Sequence, residues 1–301
     1  MRCGAALGIL LAVEMTAQTG DIHQRLLQTL GPEADVRAEV LLRDKRYTDV
    51  EAMLAEKPSS ETLALRGALE FLNGRMTGAA GFFRQAANAG TLTEQDRFTL
   101  AMALAQMGHD DEARRELTPL AAQQPQKAMY VYWLGRLDYD QRRYTEAVEN
   151  LKKATELDPK SARAWDSLGL AYDMQSNVDE ALKAFEEGVR VNREQARHSG
   201  WPPHDLGTLL LRIGETNRAK AALREALQYD SQMEPAHYHL GRALEKDGAN
   251  EEAVKEYLIA MGQEAKATDV CYSLAMLYRK MGRKKDADST FAEWRRRRDA
   301  Q

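Results

Sequence analysis

Residues 162–195 read ARAWDSLGLAYDMQSNVDEALKAFEEGVRVNREQ. Trp165, Leu168, Gly169 and Tyr172 fall on one face of a helix, and so do Ala181, Phe185 and Gly188 further on. Ser176-Asn177 interrupts the two runs, as a tight turn would. The stretch is therefore two amphipathic helices joined back to back. The same spacing recurs on both sides. Leu-Gly or Leu-Ala pairs stand at 100–101, 134–135, 168–169, 206–207, 240–241 and 274–275, separated by 34, 34, 38, 34 and 34 residues. Twelve residues after each small residue comes an alanine: Ala113, Ala147, Ala181, Ala219, Ala253 and Ala287. Four residues later comes a large one: Leu117, Leu151, Phe185, Leu223, Tyr257 and Phe291. Three columns in register over six units define a repeat, and a period of 34 residues is that of a stacked helix pair.

The rest of the composition fits helices. Only 8 prolines interrupt 301 residues, and long stretches lack any. Alternating β-branched runs are missing, which argues against strands. A hydrophobic share of 44% with 29% charged residues is foldable, not disordered. The net charge of −4 gives no pull toward nucleic acid or an anionic membrane. The one basic run, Arg295–Arg298, reads as a solvated last helical turn favoured by the helix dipole.

These columns resemble the tetratricopeptide repeat, with Trp165, Leu168, Gly169, Tyr172, Ala181 and Phe185 as the fullest match. The resemblance implies an all-α fold, a right-handed αα superhelix of about seven to eight helix-turn-helix repeats. The units fall at about 31–58, 60–93, 94–127, 128–161, 162–195, 200–233, 234–267 and 268–301, so that residues 31–301 form one solenoid after an 18–30 linker. Turns are expected at Asn73-Gly74, Met107-Gly108, Ser176-Asn177, Ile213-Gly214, Asp247-Gly248 and Met281-Gly282. The four extra residues at 196–199 break the phase. Arg193 stands where proline usually ends the second helix, which predicts a helix running on toward His198 and a restart at Trp201-Pro202-Pro203-His204. Trp294 is expected to cover the end of the core.

In this family the first helices line a concave face, at positions two, five, nine, twelve and thirteen of each unit. Carried over, position five gives Phe98, Tyr132, Asp166, His204, Tyr238 and Tyr272, and position nine adds Arg136 and Arg242. Tyr132 with Arg136, and Tyr238 with Arg242, combine large rigid area with a charged fork, the residue types that dominate binding hot spots. The expected function is a non-catalytic scaffold that binds a peptide or partner protein on this face. The alternative is an accessory repeat module of an envelope enzyme or assembly system, such as a glycosyltransferase or protease complex. The lysine–asparagine set by which some members grip chaperone tails is replaced here by Tyr132, Arg136, Ser167, Trp201 and Asp205, so that ligand is not expected.

No phosphate loop, nucleophile elbow, HExxH or dinucleotide motif occurs in the sequence. His237 and His239 are two apart on a helix and point away from each other. Cys3 and Cys271 have no metal-binding spacing. No catalytic residue, metal or cofactor is expected, and no nucleic-acid partner. Residues 1–17, MRCGAALGILLAVEMTA, place Arg2 before an apolar run from Cys3 to Val13 and a small residue at Ala17. That is the layout of a secretory signal. It implies an exported bacterial member of the family, periplasmic or secreted, without a transmembrane segment in the mature chain; a cytoplasmic protein is the alternative if the signal is not real.

Overall fold

The computed structural model describes residues 22, 24–26, 28–30, 32–55, 59–90, 92–263 and 268–299. Among them every regular element is an α-helix, and consecutive helices pack as antiparallel pairs. The chain divides into two compact units, Met1–Leu157 and Asp158–Gln301. The expected signal segment 1–17 lies outside the described residues.

The first unit holds α1 (Pro32–Arg43), α2 (Tyr47–Ala55), α3 (Ser60–Leu72), α4 (Met76–Ala89), α5 (Glu94–Gln106), α6 (Asp110–Gln123), α7 (Ala128–Asp140) and α8 (Tyr144–Leu157). Local chemistry starts these helices where the repeat needs them. Ser59 caps α3 by accepting from the Thr62 amide at 3.0 Å, and Thr93 caps α5 by accepting from the Asp96 amide at 3.1 Å. Thr62 and Asp96 reach back to the cap amides, which satisfies two orphan donors at each end. Between α5 and α6 the chain reverses at Gly108 with φ of 75°, a conformation costly for residues with a Cβ. Arg142 occupies the same left-handed region between α7 and α8 without a glycine.

Within the expected 18–30 linker, the described residues form no open connection. Residues 22, 24–26 and 28–30 are helical, and Ile22 and Leu26 are buried. Their apolar spacing of four gives this segment a face to bury.

The second unit holds α9 (Ala162–Met174), α10 (Val178–Arg193), α11 (Trp201–Ile213), α12 (Thr216–Tyr229), α13 (Glu234–Lys246), α14 (Asn250–Gln263), α15 (Thr268–Lys280) and α16 (Lys284–Asp299). Its core is continuous from Ala181 and Phe185 through Leu223, Leu240 and Tyr257 to Leu274 and Ala287. The small column lets the two helices of a pair close up. A Cβ on Gly169 would stand 2.5 Å from the Phe185 ring, one on Gly207 2.7 Å from Leu223, and one on Gly241 2.7 Å from Tyr257. Each large residue fills the space its glycine leaves open, and burying such a side chain contributes roughly 1.5–3 kcal/mol.

The helix expected to run toward His198 stops at Arg193. The reason is Asn192, which is fully buried. Its amide nitrogen donates to the Ser199 carbonyl and its oxygen accepts from the Ser199 amide, both at 2.9 Å. Those two bonds fold the extra residues into a pinned loop, and His198 stacks on Tyr229 at 4.7 Å. α11 then starts at Trp201, which packs against Ala226, Met233 and Ala236.

Candidate functional site

The position-five column does not form one exposed stripe. In the first unit Phe98 is 1% exposed and Tyr132 6%. The Phe98 ring meets Tyr130 at 5.5 Å, and Tyr132 meets Trp133 at 5.4 Å. Arg136 lies over the Tyr139 ring at 5.3 Å and 3.7 Å from Asp140. Phe98 and Tyr132 therefore serve the interior of their unit and offer little surface to a ligand.

In the second unit Asp166 and His204 are buried as well. His204 belongs to a polar knot that spacing within one helix could not reveal. Its Nδ1 lies 2.7 Å from Asp205 and its Nε2 lies 3.0 Å from His239 Nδ1. Thr208 Oγ1 donates to the His204 carbonyl at 3.0 Å and stands 3.2 Å from His239 Nδ1. Burial, with repulsion from His204 and Arg242, lowers the His239 pKa to about 3, so its ring is neutral near pH 7. One proton is shared between His239 Nδ1 and His204 Nε2, and the second nitrogen of His204 is bonded to Asp205. The visible signal is a separation of 35 residues, one repeat plus one, which brings neighbouring first helices face to face. Tyr238 and Ser273, also 35 apart, meet at 3.4 Å in the same way.

His237 turns away from this knot, as its spacing implies, and bonds Glu256 at 2.6 Å and the Ser231 carbonyl at 3.2 Å. Among the described residues no group of three or more His, Cys, Asp or Glu side chains is placed to hold a metal ion. Burial pushes the Cys271 thiol up, away from the reactive thiolate. Among the described residues no helix is long and apolar enough to cross a membrane.

The accessible part of the column lies on α13 and α15. The Arg242 guanidinium is exposed and sits over the Tyr238 ring at 5.8 Å, joining the two residues as expected. Tyr238 is half-buried, with its ring 5.9 Å from Tyr257. Tyr272 is 46% exposed and is backed by Phe291 at 6.0 Å and Trp294 at 5.6 Å. Trp294 in turn carries Arg298 over its ring at 4.9 Å. The basic run is largely neutralised locally. Glu293 pairs with Arg296 and, at 2.7 Å, with Arg297, and Asp299 pairs with Arg298 at 2.9 Å. The result is a rigid aromatic and cationic surface on two adjacent first helices, held from behind by the second helices.

Comparison with known proteins bears on the repeat fold. Residues 165–298 match the family described as cilia and flagella-associated protein 70 middle TPR-like domain, while 98–149 match tetratricopeptide repeat and 135–176 match TPR repeat. The chain is a tetratricopeptide-repeat protein. Human tetratricopeptide repeat protein 7A is 29% identical over 172 residues, which are 54% of this chain and 20% of that protein. The human protein O-mannosyl-transferase TMTC1 is 25% identical over 173 residues, 56% of this chain and 19% of that protein. The chain thus spans about a fifth of the length of these relatives. A tetratricopeptide-repeat protein from Parabacteroides merdae shares the fold, with a TM-score of 0.64 at 16% identity over 85% of this chain and 99% of that one.

Proposed function

We propose that this chain is a non-catalytic scaffold that binds a segment of a partner protein on the first-helix face of its second unit, through Tyr238, Arg242 and Tyr272. Proteins of this family are generally protein-interaction scaffolds. The observation that carries the assignment is the Tyr272 ring, open to solvent yet fixed by Phe291 and Trp294 behind it. An aromatic that is already immobile loses little entropy on binding, and an adjacent arginine fork adds direction. The test is the affinity of a purified partner, identified with tagged full-length chain, for Tyr272→Ala and Arg242→Glu variants. A loss of tenfold or more with an unchanged circular dichroism spectrum supports the assignment. Unchanged affinity in both variants contradicts it.

A second reading, an accessory module of a glycosyl-transfer system, is favoured by the match to a relative named as a mannosyl-transferase. It predicts that the recovered partner is a catalytic subunit whose turnover depends on this chain. We also propose export, on the apolar run from Cys3 to Val13. A mature N-terminus at Gln18 supports it, and a secreted or periplasmic fraction lacking the chain contradicts it.

A further inference from the structure

The first helices α3 and α5 bury the positions that the repeat pattern expects to face a ligand. On α3, Ala64, Ala68 and Phe71 stand at positions five, nine and twelve of their unit, and all are buried. On α5, Phe98 and Met102 at positions five and nine are buried too. The residues at the same positions of α13 and α15 include the exposed Arg242 and Tyr272.

The helical residues 22, 24–26 and 28–30 are tied to these first helices through Arg25. The Arg25 guanidinium grips Asp96 at 2.8 and 3.0 Å with its two terminal nitrogens and Glu61 at 2.8 Å with Nε. Glu61 opens α3 and Asp96 opens α5. They are 35 residues apart, the same separation at which His204 meets His239 and Tyr238 meets Ser273, but lie one helical turn nearer the helix start. Arg25 therefore bridges the neighbouring first helices α3 and α5. Burial opposes its charge, but the two carboxylates outweigh burial and hold the guanidinium above its ordinary value. One helical turn around Arg25, Ile22 and Leu26 are buried while Gln24 and Gln28 are exposed. Residues 22, 25, 26 and 29 share a helical stripe, the pattern of an amphipathic helix laid in a groove.

We propose that residues 22–30 are a built-in ligand of the first-unit groove, and that the external ligand of this groove is an amphipathic helix carrying an arginine with apolar residues three before and one after it. The proposal rests on the scaffold reading above and adds the ligand's chemistry to it. An extended peptide fails the geometry. Its residues four apart are separated by about 13 Å, against about 6 Å along a helix. Lysine fails the recognition, because only a planar fork donates two parallel bonds to Asp96 while a third nitrogen serves Glu61. A tethered occupant competes at an effective concentration in the millimolar range, so the resting chain binds external helices weakly until residues 22–30 leave.

The experiment uses full-length chain and a fluorescein-labelled peptide of residues 20–31, GDIHQRLLQTLG. Arg25→Glu detaches the internal segment and is expected to raise peptide affinity at least about tenfold over wild type, because the competent fraction rises. Arg25→Gln keeps the side chain's length without its charge and gives a smaller gain, which serves if charge reversal unsettles the unit. A peptide with glutamate in place of the arginine does not bind any of them. Equal peptide binding to wild type and both variants overturns the proposal. So does absence of binding to variants whose α3 and α5 amides keep native exchange protection, since residues 22–30 are then only a fixed packing element. Partner affinity lost in Tyr272→Ala but untouched by the Arg25 variants separates failure here from failure of the scaffold assignment.

Discussion

Gly169→Ala puts the repeat's packing rule to a quantitative trial. The added Cβ lies 2.5 Å from Phe185 Cδ1 and 2.6 Å from Cε1, about 0.9 Å inside the 3.4 Å where ordinary contact begins. The ring has no exit, because Phe185 is buried in the core of α9, α10 and their neighbours. Overpacking of this kind costs about 1–3 kcal/mol, while replacing glycine by alanine inside a helix returns about 1 kcal/mol of propensity. The net expectation is a loss of up to about 2 kcal/mol, read from urea unfolding of the full chain followed by circular dichroism. Gly81→Ala in α4 is the control, since nothing lies within 4 Å of its Cβ; it gains up to about 1 kcal/mol. Phe185→Ala alone costs about 3–5 kcal/mol. In that background the same Gly169→Ala change becomes neutral or stabilising, which is a coupling of about 2 kcal/mol. An equal cost of Gly169→Ala with and without the Phe185 ring, or a gain matching that of Gly81→Ala, refutes the reasoning.

Other sites give sharper signs. Asp138 is buried and is bonded by Arg114 at 2.7 Å, Arg143 at 3.0 Å and Asn150 at 2.8 Å, so Asp138→Ala removes three bonds at once and costs about 1–3 kcal/mol in the same urea assay, Gln141 remaining as a partner of both arginines. Asn192→Ala removes both bonds to Ser199, costs about 1–3 kcal/mol, and speeds amide exchange across residues 194–200. Tyr257→Phe removes the phenol's 3.0 Å bond to Glu245 and costs about 1 kcal/mol. His239 has a folded pKa of about 3, below its unfolded value, so its neutral form is favoured by folding. Its contribution is complete above about pH 6.5 and is lost as pH falls toward 3, at up to about 1.4 kcal/mol per pH unit. His239→Asn flattens stability between pH 6.5 and 5, and an unchanged slope counts against the burial argument.

The repeat was legible because three columns obey one physical demand. A small side chain must face a large one across each hairpin, as Gly169 faces Phe185 and Gly241 faces Tyr257. The turns were legible for a similar reason, since Gly108, Gly214 and Gly248 take positive φ. What escaped the sequence lies between repeats. Position five was expected to face a ligand, yet Phe98, Tyr132 and His204 are buried; His204 is covered by His239 of the next first helix, one repeat plus one away, and Phe98 and Tyr132 by neighbouring aromatic rings. His239 was discounted beside His237, although its partner is His204. The segment around Arg25 carries a helical stripe but no repeat phase, so its role depends on carboxylates 36 and 71 residues distant. Asn192 gave no sign of ending its helix, because the bond that does so closes on Ser199, across the extra residues.

Photo-crosslinking in the native host most directly tests whether the chain works by presenting its first helices. A benzophenone amino acid placed at position 242 or 272 is compared with one at Lys183 or Glu252, which are exposed residues of second helices. Discrete adducts from 242 and 272, with none from 183 and 252, are the predicted outcome. Adducts formed from the second helices alone contradict it.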